Sequence, residues 1–135
     1  LPLSDWHQKS KRIPPLEAKY ESIVFDPPRD LLYANCNARL DWMFENGALN
    51  EVRALLELNP ASCTTAMKVL GVPEIIAYLR SEINLEDALK MAKLKTRRYA
   101  KRQTTWFRNQ IIQNHRVKEQ YSESLLPELF AKIFN

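Results

Sequence analysis

Eight cations stand between Asn84 and Asn109: Lys90, Lys93, Lys95, Arg97, Arg98, Lys101, Arg102 and Arg108. No acidic residue follows Asp87 within that run. Like charges therefore stack four residues apart, as in Arg97/Lys101 and Arg98/Arg102, which costs a helix a few tenths of a kcal/mol per pair, roughly. An anionic partner would offset that cost. Arginine at this density beside Tyr99, Trp106 and Phe107 suits two jobs, forked hydrogen bonds to phosphate and stacking on bases. The bland alternative also stands, since charge on a helix is often only its solvated face. Neither job makes or breaks bonds; the chemistry offered here is grip on a polyanion.

A second candidate is Arg39. On a helical wheel it projects within roughly 20–60° of Leu32, Cys36 and Met43, at the edge of an apolar stripe. One reading is a snorkelling arginine or a structural ion pair. The other is an anion site just past the carboxyl end of a strand, where open α/β sheets bind ligands. Other chemistries find little support. His7 and His115 are far apart, and Cys36 with Cys63 makes neither a disulfide framework nor a metal site, which suits a reducing compartment. Two glycines, Gly47 and Gly71, leave no Gly-rich phosphate loop. No apolar run is long enough to span a bilayer. The net charge is only +4 over 135 residues, because acids elsewhere offset the basic run.

The elements that must position these residues follow from the pattern. Asn84 to Asn109 reads as one long helix, with Asn84 as N-cap, Asp87 at the capping-box position, and Glu86 with Asp87 complementing the dipole. At about 100° per residue, Leu85, Ala88, Leu89, Ala92, Tyr99, Ala100, Trp106 and Phe107 share an inward arc and the cations take the opposite one. Tyr20 to Phe25 is the one convincing strand; its Ile23-Val24-Phe25 run suggests cover on both faces. A lone strand cannot satisfy its backbone, so it is expected to join a sheet whose other strands this sequence lacks. With an opening Leu1-Pro2-Leu3 and no methionine, the chain is expected to be a fragment of a longer protein. Asp26-Pro27-Pro28 starts a helix that runs to about Asn46, stopped by Gly47, with Leu32, Cys36, Leu40 and Met43 inward. Further helices are expected over Ala48–Leu58 (Leu49, Val52, Leu55 and Leu56 inward), Thr64–Leu70, Val72–Leu79 and Ser124–Phe134. Breaks fall at Asn59 to Ser62 and at Gly71. Gly71 reads as a helix C-cap or as a point where a partner's backbone approaches closely, near Lys68. At the start, Leu3 to Gln8 reads as a helical turn capped by Ser4, with Trp6 a packing residue, and Lys9 to Pro15 as a loop.

The run Thr96-Arg97-Arg98-Tyr99-Ala100-Lys101-Arg102-Gln103-Thr104-Thr105-Trp106-Phe107-Arg108 resembles the C-terminal signature of tRNA dimethylallyltransferases, close to T-R-x-x-A-K-R-Q-x-x-W-x-R. Three more stretches agree in order. Leu1-Pro2-Leu3-Ser4-Asp5-Trp6-His7 is similar to the segment that closes the family's helical insertion. Arg29-Asp30-Leu31-Leu32-Tyr33, with Arg39, Met43 and Gly47 to Val52, is similar to the helix after the last core strand. Leu70-Gly71-Val72-Pro73-Glu74-Ile75, then Tyr78-Leu79, is similar to a G-x-x-E/Q-I…Y-L segment. Two departures stand out: Asn35 occupies a place where an arginine is common, and Val72-Pro73 replaces an aromatic and a basic residue.

The resemblance implies a mostly α fold. It would be the helical C-terminal half of a P-loop-type α/β enzyme, with one strand, about residues 20–25, belonging to the parallel core sheet. Residues 1–26 would end the helical insertion and form the last core strand. Residues 27–135 would form a helical region carrying the tRNA-binding helix, 84–109. The implied reaction moves a dimethylallyl group from dimethylallyl diphosphate to N6 of the adenine 3′ of the anticodon. It implies Mg2+, held mainly by parts outside this chain, and no metal ligand within it. Arg39 would contact the diphosphate; Lys68, Gly71, Arg97, Arg98, Lys101, Arg102, Gln103, Trp106 and Arg108 would contact the tRNA anticodon stem-loop. A cytoplasmic, monomeric enzyme without membrane contact is implied, and the chain by itself is expected to be inactive. Two other classes remain: a free-standing helical RNA-binding module without catalysis, and a helical domain that binds an acidic protein.

Overall fold

The computed structural model describes residues 20–58, 64–111 and 115–134. The expected Ser4-capped turn, the Lys9 to Pro15 loop, the Asn59 to Ser62 break and Cys63 lie outside them. The chain runs β1 (Ile23–Phe25), α1 (Arg29–Glu45), α2 (Ala48–Glu57), a 3-10 turn (Ala66–Lys68), α3 (Val72–Leu79), α4 (Leu85–Gln110), β2 (His115–Val117), a second 3-10 turn (Glu123–Leu125) and α5 (Leu126–Phe134). The architecture is mostly α, as expected, and the expected helix over Thr64–Leu70 shrinks to its 3-10 turn.

The sheet departs from expectation. β1 is not left without a partner in this chain. It pairs in parallel with β2, Ile23 opposite His115, Val24 opposite Arg116 and Phe25 opposite Val117. The Asp26 N–H donates to the Val117 carbonyl at 2.8 Å and extends the ladder by one residue. A parallel pair needs a crossover between its strands; here every helix from α1 to α4 lies in it. The rings of Phe25 and Tyr121 pack nearly perpendicular beside the pair, with centroids 5.4 Å apart.

The core lies among α1, α2 and α3. Ala48, Val52, Ile75 and Ile76 are buried together, with Met43, Phe44, Leu49 and Leu56 packed around them. Both glycines sit where the backbone turns left-handed: Gly47 at φ +111 between α1 and α2, and Gly71 at φ +94 ahead of α3. A Cβ at Gly71 would meet open space, so its backbone conformation, not close approach of a neighbour within the described chain, accounts for the glycine.

α4 is the spine. Its cap is as the sequence predicts: the Asn84 side chain accepts from the Asp87 N–H at 2.8 Å and donates to the Asp87 carboxylate at 2.8 Å. Ala88 and Ala92 have no exposed surface, and Ala100 is buried further along. Small side chains at this spacing let α1 and α3 approach the helix closely. The inward arc is narrower than expected, however. Tyr99, Trp106 and Phe107 are exposed, at 44%, 55% and 39%. A wheel gives the angle of a residue but not whether a neighbour covers that length of helix. Twenty-six residues make α4 about 39 Å long, and the eight residues of α3 cover only about 12 Å.

Candidate nucleic-acid interface

The cations of α4 divide by what they touch. Lys93 is paired with Asp41 of α1 at 2.5 Å, and Lys95 with Glu74 of α3. Arg97 donates to the Asn37 Oδ1 of α1 at 3.0 Å. These three flank the packing face, where burial makes an unpaired polar group costly. α4 itself contributes no acid after Asp87, so the carboxylates that offset its charge come from α1 and α3. A large part of the expected cationic arc is thus a seam between helices.

The other cations face outward. Among the described residues, Arg98 and Lys101 make no hydrogen bond or ion pair, and both are exposed. The Arg102 guanidinium lies over the Tyr99 ring, 5.6 Å from its centroid. Trp106 stands beside them, its ring edge-on to Phe107 at 5.3 Å. Arg98, Lys101, Arg102 and Trp106 line one open groove with Thr105 and Asn109. Cations with a bare indole at one surface can hold a backbone phosphate and stack a base. Gln103 is exposed one step around the helix.

The opposite flank of α4 closes a deeper cleft of about 370 Å3. Its walls are the entry to α1 (Pro27, Pro28, Arg29), Lys101, Thr104 and Arg108 of α4, and the end of β2 (Arg116, Lys118); Lys101 is shared with the outer groove. Asp26, directly after β1, pairs with Arg116 and stands 3.5 Å from the Arg108 guanidinium. The Arg29 Nε donates to the Tyr33 hydroxyl at 3.0 Å, and the guanidinium lies over that ring. The Thr104 and Thr105 hydroxyls donate back to the carbonyls of Ala100 and Lys101, so the cleft's outward chemistry is cationic.

The structure brings Arg98, Lys101, Arg102 and Trp106 together, and ties Arg108 to the cleft. Arg97 is turned toward α1. Lys68 is exposed in the first 3-10 turn, with Gly71 buried at its exit. Arg39 is exposed on α1 and outside the lining of the cleft. Sequence reasoning missed Arg29, Asp26, Arg116 and Lys118. The location past a strand's carboxyl end was readable, but the residues there depend on the β1–β2 pairing. The Asn35 side chain donates to the Gln120 side chain after β2. It ties α1 to the C-terminal segment.

Residues 1–110 match the family model described as IPP transferase. The chain is 49% identical over 110 residues to the tRNA dimethylallyltransferase of Rhodospirillum centenum, covering 82% of this chain and 35% of that protein. It is 50% identical over 106 residues to the tRNA dimethylallyltransferase of Bartonella henselae, covering 78% and 37%. The chain therefore spans about a third of the length of the curated relatives it matches. Among solved structures, it superposes on the tRNA delta(2)-isopentenylpyrophosphate transferase of Staphylococcus epidermidis with a TM-score of 0.72 at 32% identity, covering 84% of this chain and 36% of that one. The full-length tRNA isopentenylpyrophosphate transferase of Bacillus halodurans gives 0.73 at 29% identity, covering 84% and 37%. Family match, sequence identity and superposition agree, and the chain belongs to the IPP transferase family.

Proposed function

We propose that this chain serves a tRNA dimethylallyltransferase as its tRNA-gripping part, with α4 as the gripping surface. The observation that carries this is the outer face of α4, where Arg98, Lys101 and Arg102 stand exposed beside Trp106. Family membership supports tRNA as the polyanion. The acceptor is the adenine 3′ of the anticodon, and the donor is dimethylallyl diphosphate. The enzyme works as a cytoplasmic monomer; no described helix is long and apolar enough to cross a membrane.

In the reaction the adenine N6 attacks the allyl carbon, the carbon–oxygen bond to the diphosphate breaks, and N6 loses a proton to a base. The adenine must leave its stack to react, so the RNA around it has to be held firmly. Negative charge grows on the departing diphosphate, and a positioned arginine stabilises it. Arg39 takes that role: it is exposed on α1 and has no partner among the described residues. Lys68 and the turn at Gly71 supply a second RNA contact, and Arg97, held by Asn37, backs the first. Among the described residues no group of three or more His, Cys, Asp or Glu is placed to hold a metal ion. Magnesium is proposed to be held mainly by parts of the enzyme outside this chain.

Binding of an anticodon stem-loop to the enzyme carrying this chain, measured across a salt series, tests the proposal. Affinity should fall steeply with salt, and Arg102→Ala should weaken binding and flatten the slope. Salt-independent binding would remove the reading. A free-standing RNA-binding module would give the same salt dependence but no transfer of label from the allylic donor.

A further inference from the structure

The cleft at the carboxyl ends of β1 and β2 concentrates charge beside the outer groove of α4, with which it shares Lys101. Five cations border it, Arg29, Lys101, Arg108, Arg116 and Lys118, against one carboxylate, Asp26. They come from three elements, with Arg29 of α1 distant in sequence from the others, so the fold and not one charge run brings them together. Asp26 offsets one charge and holds two guanidiniums, Arg116 directly and Arg108 at 3.5 Å. Each guanidinium has five N–H donors, so both keep donors to spare. Lys118 has no partner among the described residues. Positive groups gathered in a partly enclosed cleft repel one another and raise the local potential, and a bound anion relieves both.

We infer that this cleft seats a phosphate group, contacted by Arg29, Arg116 and Lys118 together with Lys101 and Arg108. Asp26 is the positioning residue that orients the two arginines. The ligand class rests on the proposed function, which supplies two sources of phosphate: the RNA backbone and the diphosphate of the donor. The guanidinium fork suits either, because it meets two phosphate oxygens at once.

The test uses Lys118→Ala, Arg116→Gln and, for comparison, Arg98→Ala, in the enzyme carrying this chain. Lys118 is exposed and unpaired among the described residues, so its removal leaves folding intact; melting temperature checks Arg116→Gln. Two quantities are read: the tRNA dissociation constant over a salt series, and KM for dimethylallyl diphosphate at saturating tRNA. If the phosphate is RNA's, Lys118→Ala weakens tRNA binding about three- to tenfold and flattens the salt slope by roughly 0.7–0.9, leaving the donor KM alone. If it is the donor's, that KM rises by a similar factor and the slope stays. Lys118→Ala and a folded Arg116→Gln that change neither quantity would overturn the inference. Arg98→Ala keeps the two ideas apart, because Arg98 lines only the outer groove. Loss with Arg98→Ala alone leaves the tRNA reading standing and removes the cleft. Loss with Lys118→Ala alone keeps the cleft and removes the outer groove of α4 as a binding surface.

Discussion

Lys95 of α4 meets Glu74 of α3, whose carboxylate is 2% exposed and has no partner besides Lys95 among the described residues. Taking one ion out of such a pair leaves the other buried and unpaired, at a cost of about 3–5 kcal/mol. Lys95 is half-exposed, which places the cost at the low end. Lys95→Met should therefore destabilise the protein by about 3 kcal/mol. Adding Glu74→Gln should recover much of it, since a neutral amide needs no counter-ion. Denaturant unfolding of the single and double variants checks this; equal stability of the two would mean the pair is not coupled.

The division of α4's cations can be tested directly. Arg98→Ala and Lys101→Ala should each weaken tRNA binding and each reduce the salt slope by about one charge. Lys93→Ala should leave the slope unchanged, because Lys93 already serves Asp41. An equal effect of all three would show a diffuse field and not a surface.

Trp106 stands 55% exposed where the wheel placed it in the core. If it stacks a base, Trp106→Ala should cost about 1–3 kcal/mol in RNA affinity and shift the melting temperature little. A large drop in melting temperature with unchanged affinity would return Trp106 to a packing role.

Arg39→Ala should lower kcat/KM about a hundredfold, the scale for losing one donor to developing charge. Its exposure on α1 predicts almost no change in melting temperature. Normal turnover by the variant would remove it from the site.

Much of the frame was legible because it is written locally. Asn84 with Asp87 announces the start of α4, Gly47 and Gly71 mark their turns, and Val52 and Leu56 share the apolar face of α2. The seam was half legible. Lys93 and Arg97 sit at the edge of the buried face, but no helix wheel shows that Asp41 and Asn37 are waiting on α1. β2 was not legible at all. Three residues with an arginine in the middle carry no alternation, and what makes them a strand is the distant β1, with Ile23 opposite His115. With β2 went the Arg116 and Lys118 side of the cleft.

That separation sets an order of events during synthesis. Asp26 and Arg116 are 90 residues apart. At about 5–20 residues per second, β1 leaves the ribosome roughly 5–20 s before β2 exists. Through that interval the edge of Ile23, Val24 and Phe25 that β2 will cover stays open. The helices from α1 to α4 rely on nearer contacts and can form meanwhile, since local structure precedes distant pairing. The cationic cleft is thus assembled only after α4 is complete. A nascent chain stalled before His115 would carry a complete α4 and a β1 whose β2-facing edge has no partner strand.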